Sequence, residues 1–121
     1  MFTLKKKLNN DLQEVKGNIR VYCRVRPAKQ GNGIISVTSD NTLKITYERE
    51  RNRQQPEKYE QGYVFEQIFD QKETQHTIFT ELSQLIQSAI DGKNVCIFAY
   101  GQTGSGKTFT LLGPESYNMT F

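Results

Sequence analysis

The sequence is poor in the residues that hold metals and disulfides. Its 121 residues include two cysteines and one histidine, and the cysteines form no CxxC pair. No Cys/His spacing suits a ligand set, so a metal site of that kind is not predicted. Cys23 and Cys96 lie in alternating or apolar runs. We expect both to be buried, reduced thiols of a cytosolic protein.

Long apolar runs and basic aromatic stretches are also missing. The start, MFTLKKKLNN, has no apolar core of signal-peptide length, and no run approaches membrane-spanning length. The net charge is only +3, and no Lys/Arg stretch is interleaved with base-stacking aromatics. We therefore expect a soluble cytoplasmic domain with neither a membrane nor a nucleic-acid partner.

Residues 1–16 have helical periodicity. Apolar side chains recur every three or four residues, with charges between them, at Leu4, Leu8, Leu12 and Val15. Gly17 is a candidate C-cap. We interpret the segment as a neck helix at the end of a coiled coil. The alternative is an amphipathic helix that packs on its own domain.

Residues 74–91 form the clearest predicted helix. Thr74 can cap its start and Gly92 its end. Seven apolar residues fall on one face: Ile78, Phe79, Leu82, Leu85, Ile86, Ala89 and Ile90. His76 lies on the first turn and is expected to be a surface residue.

Several segments favour strands. NIRVYCRVRP alternates from Ile19 to Val25 and is ended by Pro27. Weaker alternation in residues 28–65, broken by turns at Gly31–Gly33 and Ser39–Asn41, predicts a small antiparallel side sheet. The mixed charges of Glu48–Lys58 suit a solvated hairpin tip.

The segment NVCIFAY, Asn94–Tyr100, is a continuous apolar run of strand length. Such runs are typical of strands that are buried on both faces of a sheet. Together with the preceding helix and the following glycine-rich turn, this run predicts an α/β domain.

The next residues, GQTGSGKT, satisfy the phosphate-loop pattern G-x-x-x-x-G-K-[ST]. Gly101, Gly104 and Gly106 allow a tight turn and a close approach to an anion, and the amides that follow can bind phosphate oxygens. Lys107 would reach the β and γ phosphates, and Thr108 would ligate Mg²⁺. A glycine-rich connector would not explain the Lys–Thr pair.

A hydrolytic site is not evident. After Thr108 the only acidic residue is Glu115, and the upstream acids Asp70 and Asp91 merely flank the long helix. Phosphoryl transfer also needs a carboxylate for Mg²⁺ and a residue that orients water. We therefore predict nucleotide binding and no catalytic residue within the chain.

The motifs resemble those of kinesin motor domains. IFAYGQTGSGKTFTLLG is similar to the kinesin phosphate loop, and YVFEQIFD to the segment that precedes it. LQEVKGNIRVYCRVRP resembles the neck-to-motor junction of C-terminal-motor kinesins, which move toward microtubule minus ends. Within that group, IFDQ and QLIQSAIDGKNVCIFAYGQTGSGKTFT resemble the fungal karyogamy type. The resemblance covers nearly all of the chain and is weakest over Lys29–Lys58.

The resemblance implies the N-terminal portion of a P-loop NTPase (kinesin-like motor) fold. We expect a mixed central sheet, a small antiparallel side sheet and a preceding neck helix, with 1–16 as the neck and 17–121 as roughly the first third of the motor domain. The family's two switch sequences are absent from this chain. The intact protein would hydrolyse MgATP and move along microtubules, whereas this chain alone would be inactive. Its partners would be microtubules and a coiled-coil chain, in the cytoplasm at microtubules and the spindle.

The resemblance also assigns site residues. Arg24 and Pro27 would flank the adenine ring, with Arg26 supporting that edge, and Phe109 would pack near the base. The residues that would wrap the phosphates of ATP or ADP are Gln102, Thr103, Gly104, Ser105, Gly106, Lys107 and Thr108. Thr108 would also contact Mg²⁺.

Two other functions are compatible with the motif. The chain could be a nucleotide-binding or assembly module without ATPase activity, or a different small P-loop phosphotransferase. The second would need an acceptor site and an acidic strand end that the sequence does not offer. An incomplete sheet would leave unpaired edges, so we also expect the isolated chain to be marginally stable or self-associating.

Overall fold

The chain forms helices and two small sheets. A computed structural model describes residues 2–27, 34–49 and 57–114. In chain order the elements are α1 (Phe2–Lys16), β1 (Tyr22–Arg24), β2 (Ile35–Ser39), β3 (Thr42–Arg49), β4 (Glu57–Val64), β5 (Gln67–Phe69), α2 (Gln75–Ile90) and α3 (Lys107–Leu112). They divide into a helical unit, Met1–Ile19 with Glu73–Phe121, and a sheet unit, Arg20–Lys72. None of the helices in the described ranges is long and apolar enough to cross a membrane.

The sheet unit contains the predicted antiparallel side sheet. Its strand order is β2-β3-β4, and Leu43 on β3 faces Val37 on one side and Tyr63 on the other. The β3–β4 register ends at the pair Arg49 and Glu57. Of the predicted hairpin tip, residues 50–56 lie outside the described residues, as does the turn predicted at 31–33.

The sheet unit also contains a parallel pair, β1 and β5. The predicted first strand is shorter than its alternating pattern, because its partner β5 has only three residues with which to bond. Val25, Leu43 and Ile68 form the buried core that joins this pair to the antiparallel sheet. Two backbone bonds from the turn at 40–41 reinforce the join, Phe65 N to Asn41 O (2.8 Å) and Ile68 N to Asp40 O (2.6 Å).

In the helical unit, α2 confirms the predicted long helix. The Thr74 side chain caps its start by accepting a hydrogen bond from Thr77 N at 3.2 Å. Asp91 is the C-cap, and Gly92 follows it with φ 94°. Ile78 is buried, but Phe79 and Ile90 are exposed. The apolar face is therefore only partly covered in the part of the chain that the structure describes.

Helix α1 packs on α2 through its polar side. Asn9 Nδ2 donates to Ser88 Oγ at 3.0 Å, and Lys16 Nζ lies 3.7 Å from Glu81 Oε1. Four apolar residues of α1 remain exposed: Leu4, Leu8, Leu12 and Val15. The predicted helix is thus present, and it contacts α2 through polar side chains while its apolar stripe is exposed. Its role as a coiled-coil neck stays a prediction.

A bulky side chain at Ser88 should displace α1. Ser88 is only 3% exposed, so Ser88→Leu would overpack the α1–α2 contact and cost about 1–3 kcal/mol. A 15-residue helix without tertiary packing is marginal in water, so the α1 amides should exchange faster in this variant. Ala89→Leu, at an exposed neighbouring position, is the control and should leave exchange unchanged. Equal exchange rates in the two variants would contradict this packing role.

The buried strand predicted at Asn94–Tyr100 is absent. The segment is assigned to no strand, and Phe98 and Tyr100 are 86% and 102% exposed. A strand needs a neighbour to pair its backbone groups. Within the described residues, both sheets are built without this segment.

The two thiols differ from the expected buried pair. Cys96, in the same segment, is exposed, and Cys23 on β1 is half-buried. Burial raises the pKa of the Cys23 thiol. The expectation of a buried thiol is therefore wrong for Cys96, because the strand that would have enclosed it is not formed.

Candidate nucleotide-binding site

A compact glycine-rich turn leads into α3. Gly104 and Gly106 have φ values of 78° and 104°, in the left-handed region where a Cβ is strained. Ser105 N donates to Gln102 O at 3.1 Å, which closes the turn, and α3 starts directly afterwards at Lys107. The predicted turn and helix are therefore both present, at the predicted residues.

Lys107 bridges the loop from one end to the other. Its ammonium donates to the backbone carbonyls of Gly101 at 2.8 Å and Gln102 at 2.9 Å. Charge-assisted hydrogen bonds of this kind are stronger than neutral ones. The lysine that the motif assigns to phosphate therefore also holds the loop in a closed conformation.

Gly101 lies close to the Ser105 side chain inside the loop. A Cβ at this position would lie 2.6 Å from Ser105 Oγ and 3.4 Å from Ser105 Cβ. The first distance is below van der Waals contact, so a larger residue would force the serine hydroxyl to move.

Gly101→Ala should therefore weaken nucleotide binding by about tenfold, the cost of moving one side chain off its rotamer in a tight loop. In the double variant Gly101→Ala/Ser105→Ala the 2.6 Å contact is gone and the remaining 3.4 Å approach is tolerable. The double variant should bind more tightly than Gly101→Ala alone. Titration with a fluorescent ATP analogue measures both. Equal affinities would show that crowding against the Ser105 hydroxyl is not the cause.

The start of α3 suits an anion. Gly106 is its N-cap and makes no side-chain cap hydrogen bond, while its carbonyl accepts the first helical bond from Thr110 N at 3.0 Å. Backbone N–H groups at such an end carry partial positive charge. The Thr108 side chain is exposed on the first turn. Closed loop, lysine, helix start and accessible hydroxyl together fit a nucleotide phosphate with Mg²⁺.

Three of the predicted adenine contacts, Arg24, Arg26 and Pro27, lie in the sheet unit. Arg24 is half-buried on β1, where burial lowers the pKa of its guanidinium, and Arg26 and Pro27 are exposed just after that strand. Phe109 is exposed on α3 in the helical unit. The joint role of these residues at the base stays a prediction.

One residue that contacts α3 was not identified by any sequence motif. Gln75, the first residue of α2, donates from Nε2 to the backbone carbonyl of Thr110 on α3 at 2.9 Å. The sequence contains one indication of such a contact. Pro114 lies four residues after Thr110 and has no N–H, so it cannot donate the helical hydrogen bond to the Thr110 carbonyl.

The chain is similar to known proteins in both sequence and structure. A family model described as "Microtubule binding" matches residues 1–121. The kinesin-like protein KAR3 of Saccharomyces cerevisiae is 46% identical over 117 residues, which cover 93% of this chain and 16% of that protein. The chain belongs to the kinesin family. The kinesin-like protein KIN-14N of Oryza sativa subsp. japonica is also 46% identical, over 95% of this chain and 15% of its own length.

Solved kinesin structures extend the likeness to the fold. The C-terminal motor and motor homology domain of Kar3Vik1, fused to a synthetic heterodimeric coiled coil, matches with a TM-score of 0.71 and 43% identity. The match covers 93% of this chain and 31% of that one. The motor domain of the Kar3-like kinesin from Ashbya gossypii matches at 0.55 and 44%, over 77% of this chain. The predicted kinesin fold is thereby confirmed, for a chain that spans about a third of these kinesin structures.

Proposed function

We propose that this kinesin chain is the nucleotide-binding part of a microtubule motor and that Gly101–Thr108 holds the phosphates of ATP or ADP. The observation that carries the proposal is the closed loop, in which Lys107 bonds to the carbonyls of Gly101 and Gln102 directly before α3. A phosphate entering the loop would meet the lysine charge and the first amides of the helix.

The Mg²⁺ site would be shared between the protein and the nucleotide. Thr108 supplies one hydroxyl, which is exposed at the start of α3. In the described part of the chain, no group of three or more His, Cys, Asp or Glu residues could hold the ion. Mg²⁺ commonly keeps several waters and binds one or two protein oxygens together with phosphate oxygens. When bound, the ion would neutralise charge on the β and γ phosphates.

The adenine ring would lie against Arg24 and Pro27, with Arg26 at its edge and Phe109 near the base. A planar guanidinium can stack on an aromatic ring, which suits Arg24 for this role. The partial burial of Arg24 supports it, because burial limits the positions that the guanidinium can take.

The complete protein would hydrolyse MgATP and move along microtubules, toward the minus end. Support comes from the relatives, which are named as kinesin-like proteins, and from the family description "Microtubule binding". The chain itself contains neither of the switch sequences that the kinesin resemblance leads us to expect downstream. We expect it to bind nucleotide without turnover. The alternative, a binding or assembly module without ATPase activity, is less favoured because the matched solved structures are described as motors.

The partners would be microtubules and a second helix. The exposed stripe of α1, opposite the side that bonds α2, has the apolar spacing that a coiled-coil partner covers. The Kar3Vik1 structure, in which the motor and motor homology domain are fused to a synthetic heterodimeric coiled coil, is compatible with a partner of this kind. Such a protein would act in the cytoplasm, at microtubules and the spindle.

Two measurements test the proposal. A fluorescent ATP analogue should bind the chain in the presence of Mg²⁺, and unlabelled ATP or ADP should displace it. The longest natural chain that contains these residues should show ATPase activity that microtubules stimulate. Absence of binding would remove the phosphate-site assignment, and binding without any stimulation in the longer chain would favour the non-motor alternative.

A further inference from the structure

Helix α3 ends at a glycine that is followed by a proline, Gly113 and Pro114. Helix α3 is six residues long, and its last carbonyls need donors from outside the helix. Phe109 O accepts from Gly113 N at 2.8 Å. The corresponding donor for Thr110 O would be residue 114, which is proline and has no N–H. Residue 114 therefore cannot act as the i+4 donor to Thr110 O.

A side chain from another helix supplies that bond. Gln75 Nε2 donates to Thr110 O at 2.9 Å, and the contact is partly buried. The residue is well placed to do so, because the first turn of α2 is fixed twice. Thr74 caps it through Thr77 N at 3.2 Å, and Ile78 is buried at 3% exposure.

The hydrogen bond from Gln75 to Thr110 O lies close to the phosphate site because α3 is short. Lys107 and Thr108 lie on its first turn and Thr110 only two residues later. A six-residue helix has too few internal bonds to keep its direction by itself. Its orientation is set by the loop at one end and by contacts such as Gln75 at the other.

We propose that Gln75 is a positioning residue for nucleotide binding. Its amide fixes the end of α3, and through that helix it fixes where the Lys107 ammonium and the Thr108 hydroxyl meet the phosphates and Mg²⁺. The inference rests on the proposed nucleotide site and deepens it. Gln75 itself touches the helix and not the ligand.

Three substitutions distinguish the effect of the Gln75 hydrogen bond on nucleotide affinity from the effect of side-chain packing. Gln75→Met keeps the shape and removes the donor, Gln75→Glu places a carboxylate against the carbonyl, and Gln75→Lys keeps a donor on a longer chain. Loss of one partly buried hydrogen bond predicts about five- to tenfold weaker binding of a fluorescent ATP analogue to Gln75→Met. Gln75→Glu should bind more weakly still, and Gln75→Lys should remain within about twofold of the wild type.

The matched control is Gln87→Met. Gln87 is an exposed residue of the same helix, and its amide donates to the side chain of Asp91 at 3.2 Å. This variant should bind nucleotide as the wild type does. Rescue by Lys is the readout that a role in shape or packing would not produce.

A second measurement needs no nucleotide. The Gly113 amide, bonded to Phe109 O, should exchange its hydrogen faster in Gln75→Met than in Gln87→Met, because the end of α3 is less firmly held. Unchanged exchange together with unchanged affinity would overturn the role of Gln75 and leave nucleotide binding intact. Failure of the wild-type chain to bind nucleotide would instead overturn the proposed function, and the positioning role with it. Equal loss in the Met and Lys variants would overturn the hydrogen-bond explanation.

Discussion

Lys107→Ala is expected to weaken binding of an ATP analogue by about 100-fold or more. The ammonium makes two charge-assisted bonds within the loop, at 2.8 and 2.9 Å, and would donate hydrogen bonds to phosphate oxygens when a nucleotide binds. A hydrogen bond to a charged group contributes about 1.5–3 kcal/mol, so loss of two such bonds from the ammonium to phosphate oxygens would lower the affinity by about two orders of magnitude. Equilibrium titration of the variant and the wild type, in the same Mg²⁺ buffer, measures the difference.

Lys93→Ala is the matched control for that experiment. Lys93 is an exposed lysine just after α2 in the same unit, so its removal changes the net charge equally but leaves the loop untouched. It should change affinity by less than about twofold, as screened surface charges usually do. A similar loss in both variants would mean that general positive charge attracts the nucleotide and that Lys107 has no specific role.

Local patterns predicted the parts of this fold that depend on neighbouring residues. Thr74 and Gly92 mark the ends of α2 because capping is decided within one turn, and the structure has both features. The phosphate loop was equally predictable. Its glycines at 104 and 106 adopt the left-handed conformations that the motif requires, and its lysine is bonded inside the loop.

Partners distant in sequence could not be predicted in the same way. The alternation of Ile19–Val25 indicated a strand, but its observed length was set by the three residues of β5, which begins more than forty positions later. In α1 the leucine stripe drew attention to the apolar side, whereas Asn9 and Lys16 make the contacts with α2. Hydrophobic periodicity describes the face that is apolar and says nothing about polar packing.

The same limit explains the error at Asn94–Tyr100. An apolar run indicates that a segment can form a strand buried in a sheet. The strand forms only where neighbouring strands are present to pair with it, and the run itself does not specify those neighbours. Among the described residues no strand pairs with it. The likeness to kinesin structures, of which this chain covers 31%, indicates that the domain of the relatives contains much more than these elements.

The 121-residue chain is expected to self-associate through this run at micromolar concentrations. Phe98 and Tyr100 are 86% and 102% exposed, and an exposed apolar segment of strand length can pair with another chain. Sedimentation of the wild type should give a mass well above the 14.0 kDa monomer, which increases with concentration. Phe98→Lys should shift the distribution toward the monomer, because a charge on such an edge opposes pairing.

Phe79→Lys distinguishes association by strand pairing from association through exposed apolar surface. Phe79 is also an exposed aromatic residue, at 54%, but it lies on α2, where the backbone groups are already bonded within the helix. If association depends on the unpaired backbone of the run, Phe79→Lys should leave most of it in place while Phe98→Lys removes most of it. Equal effects of the two substitutions would assign the association to exposed apolar area alone, and a wild-type monomer at about 100 µM would contradict both explanations.

Because the run leads directly into Gly101, pairing that orders it should also hold the start of the phosphate loop, so nucleotide affinity should rise with the degree of association.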